Sequence, residues 1–163
     1  ADDYYKLYIN GRFVGQGPAQ GYPFCYYWNE YDITEYVTEG KNDIFVNVYY
    51  QGLINRAYNS GDRRMGMIAE IFDNHSCILS TDSEWEYALS NAYKMTHTIG
   101  YGTMFAENFD SREHITHWDK CCVKKQIMFL AATLRLRFRY IEKNRYSLKN
   151  SLKVGYYTIL GAK

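Results

Sequence analysis

Hydrophobic and polar positions alternate with a period of two in several runs along the first 119 residues. Leu7 and Ile9 alternate with Lys6, Tyr8 and Asn10, and a return run follows through Phe13 and Val14. Between these runs lies Asn10-Gly11, a pair suited to the positive φ that a type I′ turn needs at both central positions, so a β-hairpin is expected here. Tyr22 to Trp28 reads as an aromatic strand with Pro23 near its start, where a missing N–H costs least. Asp32 is placed to cap a single turn over Ile33 to Val37, and Glu39 to Asn42 reads as a polar turn. Asp43 to Tyr50 sets Ile44, Val46 and Val48 on one face and Phe45, Asn47 and Tyr49 on the other, the clearest strand pattern in the chain.

Further strands are expected over Met65 to Phe72, closed by an Asp73-Asn74 turn, from Cys77, and over Ser83 to Leu89. Tyr93 to His97 leads through Gly100 and Gly102 into Phe105 to Trp118. Near the C-terminus, Leu134, Leu136, Phe138 and Tyr140 alternate with Arg135, Arg137 and Arg139, a period-2 strand with one charged face. Many short strands, frequent turns and no amphipathic helix point to an antiparallel β-sandwich. No apolar run approaches the roughly 20 residues that a membrane-crossing helix requires. The opening at Ala1, directly into a strand-like segment, reads as that of a processed chain.

Charge divides the chain in two. Residues 1–119 carry 8 Lys/Arg against 17 Asp/Glu, a balance of −9, and residues 120–163 carry 11 against the single Glu142, a balance of +10. The net +1 conceals this change near Asp119. Two units are therefore expected: a sandwich over 1–119, and a basic tail over 120–163 that packs on or extends it. Loss of acids in the tail suits a divergent or frame-shifted end of a longer gene.

The four cysteines, Cys25, Cys77, Cys121 and Cys122, show no CxxC spacing, so free thiols are expected rather than a disulfide framework or a zinc site. His114 and His117, with Glu113 and Asp119, read as a surface turn, because the HxxH pair has no second ligand-bearing half. No Asp-rich loop commits the chain to calcium. Gly15 to Gly21 is glycine-rich, but an aromatic segment follows where a phosphate-binding helix would have to start, and the stretch reads as a loop between sheets. Asn74-His75-Ser76 fits the N-glycosylation pattern and reads as a turn. Arg135 to Arg139 reads as an exposed strand face or as packing on the acidic body, which would itself repel nucleic acid.

Gln51 to Arg64 is a long polar loop, and structureless loops of that length in a compact domain are usually functional or disordered; its part Asn55 to Arg64 is the best functional candidate. Asn55, Arg56, Asn59, Asp62, Arg63 and Arg64 supply donors and acceptors suited to hydroxyl-rich ligands, and Tyr58 supplies a ring for stacking. Docking onto another domain is the competing role for this loop. A second cluster, Glu107, Asp110 and Glu113 around Arg112, contains carboxylates, but an internal salt bridge accounts for it better than catalysis.

Taken in order, several segments resemble the non-catalytic N-terminal domain of bacterial α-L-rhamnosidases. They are Tyr8-Ile9-Asn10-Gly11 with Val14-Gly15, Tyr31-Asp32-Ile33-Thr34, Glu39-Gly40-Lys41-Asn42 and its strand, Thr81 to Tyr87, and Phe105 to Arg112 with Trp118-Asp119. Phe109 stands where that family usually has Tyr, Ala106 where it has Gly, and Thr116-His117 where Pro-Gly often precedes the Trp. The resemblance is faint beyond Asp119. It implies a galactose-binding-like jelly-roll that serves an enzyme whose catalytic carboxylates sit in a separate (α/α) barrel. On that reading the chain alone is not an enzyme. Its expected partners are rhamnose-containing glycans and the catalytic barrel, with no cofactor, nucleic acid or membrane. The binding or docking residues would be Asn55, Arg56, Tyr58, Asn59, Asp62, Arg63, Arg64, Glu107, Asp110 and Arg112.

Overall fold

The computed structural model describes residues 3–20, 27–52, 66–121, 131–140 and 150–155. Among them the chain forms twelve strands and no helix. In chain order these are β1 (Tyr4–Ile9), β2 (Arg12–Gly17), β3 (Asn29–Asp32), β4 (Gly40–Tyr49), β5 (Ile68–Asp73) and β6 (Ser76–Ser80). They continue as β7 (Glu86–Leu89), β8 (Thr98–Ile99), β9 (Met104–Phe105), β10 (Asp119–Lys120), β11 (Ala131–Tyr140) and β12 (Asn150–Gly155). A six-stranded sheet runs β10-β7-β11-β4-β1-β2, a four-stranded sheet runs β3-β12-β5-β6, and β8 and β9 form a two-stranded sheet. Every pairing is antiparallel.

Alternation places the core. Tyr5, Leu7 and Ile9 of β1 and Ile44, Val46 and Val48 of β4 point to one side and are buried. They meet Ala69 and Ile71 of β5 from the other sheet, with Ile33 and Trp85 completing the cluster. One core shared by two antiparallel sheets is the arrangement of a β-sandwich. Each large aliphatic side chain in it contributes about 1.5–3 kcal/mol by leaving water.

The expected hairpin is present. Asn10 and Gly11 have φ of 51° and 76°, Ile9 pairs with Arg12, and a bulge between Leu7 and Tyr8 absorbs one residue of β2. A second two-residue turn joins β5 to β6, with Asn74 and His75 both at positive φ. It lies one residue later than Asp73-Asn74, because Asp73 itself pairs with Ser76. The sequon therefore begins in a tight turn.

Two expectations shift here, and a third lies mostly outside the described residues. Gly15, Gln16 and Gly17 belong to β2 and not to a loop, because they pair with Leu7, Lys6 and Tyr5 of β1, and β3 crosses close to the two glycines. A Cβ on Gly15 would run into the Tyr31 ring, and one on Gly17 would run into Asn29 Oδ1. Most of the aromatic stretch 22–28 falls outside the described residues, and the strand that follows it is β3. Before β7, the Asp82 carboxylate accepts from the Glu84 N–H at 2.8 Å and holds a turn, so the strand begins at Glu86 rather than at Ser83.

The basic tail supplies an inner strand to each of the two larger sheets. β11 lies between β4 and β7, and β12 lies between β3 and β5. Backbone register sets Arg137 across from Asp43, and Arg135 across from Phe45 and Glu86. Cys77 and Cys121 are free thiols; Cys25 and Cys122 lie outside the described residues.

Candidate functional site

The face of β1 and β4 that turns away from the core is not an ordinary solvated surface. It carries Tyr4, Lys6 and Tyr8 beside Tyr49, Asn47 and Phe45, paired residue for residue, and all six are partly shielded. Partial shielding of an outer face needs a cover, and a hairpin-like arm over residues 92–110 provides it at one end.

Local hydrogen bonds explain the arm. Asp110 N–H donates to Ala92 C=O at 2.9 Å, Lys94 N–H to Asn108 C=O at 2.9 Å, and Ala106 N–H to His97 C=O at 3.0 Å. Tyr93 bridges to Phe109, and their rings sit 5.0 Å apart. β8 and β9 extend this ladder to a tip at Gly100-Tyr101-Gly102, three successive residues at positive φ. Gln51, buried just past β4, donates from Nε2 to Thr103 C=O at 2.6 Å and so ties the arm to the sandwich.

Two ion pairs brace the base of the arm. Arg112 Nε and Nη2 each donate to the Asp110 carboxylate at 2.8 Å, and Arg112 N–H adds a third bond at 3.1 Å. These contacts hold the Asp110 carboxyl at about 2, the side-chain bond to Arg112 being the largest cause and its backbone N–H the next. The same pairing raises the Arg112 guanidinium. Lys94 Nζ donates to Glu113 Oε1 at 2.8 Å.

Between the arm and the sheet lies a pocket of about 360 Å³, within the size range of small-molecule sites. Tyr4, Lys6, Asn47 and Tyr49 form the sheet wall, and Tyr93, Met95, Met104, Phe105, Glu107 and Asn108 form most of the arm wall. Tyr4 donates from its hydroxyl to Gln16 Oε1 at 2.6 Å. The side chains of Lys6, Asn47, Glu107 and Asn108 make no hydrogen bond among the described residues. Such a site offers an ammonium, two amides and a carboxylate among aromatic and thioether surfaces, and hence both donors and acceptors to a small polar ligand.

Of the residues predicted from sequence, Glu107 lines this pocket. Asp110 and Arg112 lie outside its lining and close on each other. With Glu113 held by Lys94, the acidic cluster leaves Glu107 as its carboxylate without a partner among the described residues. Asn55, Arg56, Tyr58, Asn59, Asp62, Arg63 and Arg64 lie outside the described residues. His117 Nε2 is 3.0 Å from Asp119 Oδ1, and among the described residues no cluster of three His, Cys, Asp or Glu is arranged to hold a metal. Sequence reasoning missed Tyr4, Lys6, Asn47, Tyr49, Tyr93 and Asn108. A signal was available: an outer sheet face carrying three tyrosines and a phenylalanine is too apolar to be left to solvent.

Comparison with known proteins gives one match. The sequence model of the alpha-L-rhamnosidase N-terminal domain matches residues 3–139. This span passes Asp119 and takes in nearly all of β11. No curated protein and no solved structure matches.

Proposed function

Because this chain belongs to the alpha-L-rhamnosidase N-terminal domain family, an accessory domain of glycoside hydrolases, we propose that it recognises the sugar substrate without carrying out hydrolysis. The observation that carries this reading is the pocket between the arm and β1/β4. There Lys6, Asn47, Glu107 and Asn108 leave polar groups unpartnered among the described residues, beside the rings of Tyr4, Tyr49 and Tyr93. A deoxy-sugar such as rhamnose needs this mixture: hydroxyl groups take hydrogen bonds from amides and charges, while its methyl group and ring C–H face lie on aromatic surface. Hydrolysis is assigned elsewhere because it needs two carboxyl groups flanking one bond. Here Asp110 and Glu113 are held by Arg112 and Lys94.

Isothermal titration with methyl α-L-rhamnoside tests the reading. Binding that is lost in Asn47→Ala, with the thermal melting curve unchanged, supports it. Absence of heat at millimolar sugar, or equal binding by Asn47→Ala, overturns it.

One observation favours docking as a second role. Met95, Ile99 and Met104 are exposed along the arm, and Tyr101 at its tip is fully exposed. Apolar side chains grouped on such an arm suit contact with another domain. Association with a separately expressed catalytic barrel that is lost in Tyr101→Ser would establish it, and unchanged association would remove it.

A further inference from the structure

The outer sheet face does not end at the pocket. Two residues along each strand from Lys6 and Asn47, on the same side, stand Tyr8 and Phe45. Their rings belong to a line that crosses the sheet from its β2 edge. Phe13 meets Tyr8 at 5.6 Å between centroids, Tyr8 meets Phe45 at 6.1 Å, and Phe45 meets Trp118 at 6.4 Å. All three contacts are steeply tilted, with interplanar angles of 62°, 71° and 67°. Neighbouring rings therefore meet edge-on and are not stacked face to face. Phe13, at its edge-strand end, is half exposed at 51%.

We infer that the binding surface is a groove with more than one sugar subsite, in which the pocket takes one residue and the Phe13–Tyr8–Phe45 line takes its neighbours, so that the ligand is an oligosaccharide. This inference rests on the pocket being a sugar site. The occupant follows from the surface itself. Lys6 and Asn47, which have no hydrogen-bond partner among the described residues, stand beside the ring line and break the apolar surface into ring and polar steps. A chain of pyranose rings presents the same alternation of C–H faces and hydroxyls, whereas a protein partner's apolar core would leave those polar groups buried and unmet. The ring-to-ring steps are comparable to the length of one sugar residue. Phe13 supplies the open stacking face furthest from the pocket.

The test compares methyl α-L-rhamnoside with a linear tetrasaccharide that carries a terminal α-L-rhamnose, titrated into the full chain by calorimetry. The tetrasaccharide is expected to bind about tenfold tighter or more, since adjoining subsites on one chain add their contacts. Phe13→Ala is expected to weaken the tetrasaccharide about threefold to tenfold, the effect of one lost aromatic packing contact, and to leave the monosaccharide unchanged. Phe13→Tyr is expected to retain tight binding. Equal affinity for the two ligands, or a Phe13→Ala variant that binds the tetrasaccharide like the wild type, overturns the groove while leaving the pocket reading intact. Absence of binding by either ligand overturns both. Loss of barrel association in Phe13→Ala, with sugar binding unchanged, assigns the ring line to docking and overturns the groove.

Discussion

Asn10 Nδ2 donates to Asn42 Oδ1 at 2.8 Å and links a hairpin turn to the start of a strand more than thirty residues away. The same nitrogen reaches Tyr36 C=O at 2.9 Å, and Asn10 Oδ1 accepts from Asp43 N–H at 2.9 Å. Asn42 is buried; its Oδ1 also accepts from Thr38 N–H and its Nδ2 donates to Thr38 C=O, both at 2.8 Å. Arg12, the residue after the turn, donates to Glu35 C=O at 2.7 Å and lies 4.7 Å over the Tyr36 ring. The turn pair is thus a clamp on the segment from Ile33 to Asp43, and that clamp fixes where β4 enters the sheet.

Asn42→Ala removes both halves of this buried amide and leaves its backbone partners unmet, and is expected to lower stability by about 2–4 kcal/mol. Asn10→Gly keeps the turn geometry and loses the side-chain bonds to Tyr36, Asn42 and Asp43 while leaving those of Asn42 to Thr38 in place, with an expected loss of about 1–2 kcal/mol. Urea denaturation measures both, and a larger loss in Asn10→Gly would contradict the assignment of the clamp to Asn42.

Gly15→Ala sets a Cβ against the Tyr31 ring. That ring cannot easily yield, because its hydroxyl donates to Gln16 C=O and lies 3.1 Å from the Tyr5 hydroxyl. Overpacking of this kind costs about 1–3 kcal/mol. The double variant Gly15→Ala with Tyr31→Leu is expected to recover part of that loss in the same denaturation experiment, and additive losses would show that the two sites do not meet.

Burial first, and then the hydrogen bond and charge of Tyr31, hold the Tyr5 hydroxyl well above the ordinary phenol range. The folded state thus favours the protonated form. Its contribution is complete below the unfolded value of about 10 and is lost as pH rises beyond it. Phenolate absorbance is expected to show Tyr5 ionising only as the protein unfolds, and Tyr5→Phe is expected to flatten the fall in stability on the alkaline side.

Asp110 follows the opposite sign. Its folded value of about 2 lies below the usual carboxylate value of about 3.9, so its pairing with Arg112 is complete above that value and is lost as pH falls toward 2. Carbon-detected NMR is expected to give a midpoint near 2 in the wild type. In Arg112→Ala the midpoint is expected to return to about 3.9; a midpoint unmoved by that change would assign the depression to other groups.

Much of this was legible in the chain because it is decided within a few residues. Positive φ at Asn10 and Gly11 demands that pair or one like it, and period-2 alternation in β1 and β4 assigns Leu7, Ile9, Ile44, Val46 and Val48 to the core before any fold is known. The charge-paired reading of Asp110 with Arg112 was local as well, two residues apart. Tertiary structure alone decided what depends on distant segments. Gly15 and Gly17 read as a loop until β3 crosses them, because a close approach leaves no mark on the glycine's own neighbours. The place of β11 between β4 and β7 could not be read from its Arg-Leu alternation, since strand order is set by long-range pairing. The pocket joins Lys6 and Asn47 to Glu107 and Asn108 only because the arm folds back across the sheet. Local conformational rules determined the elements and their inward faces, and long-range packing determined which outer face is covered and so where a ligand can sit.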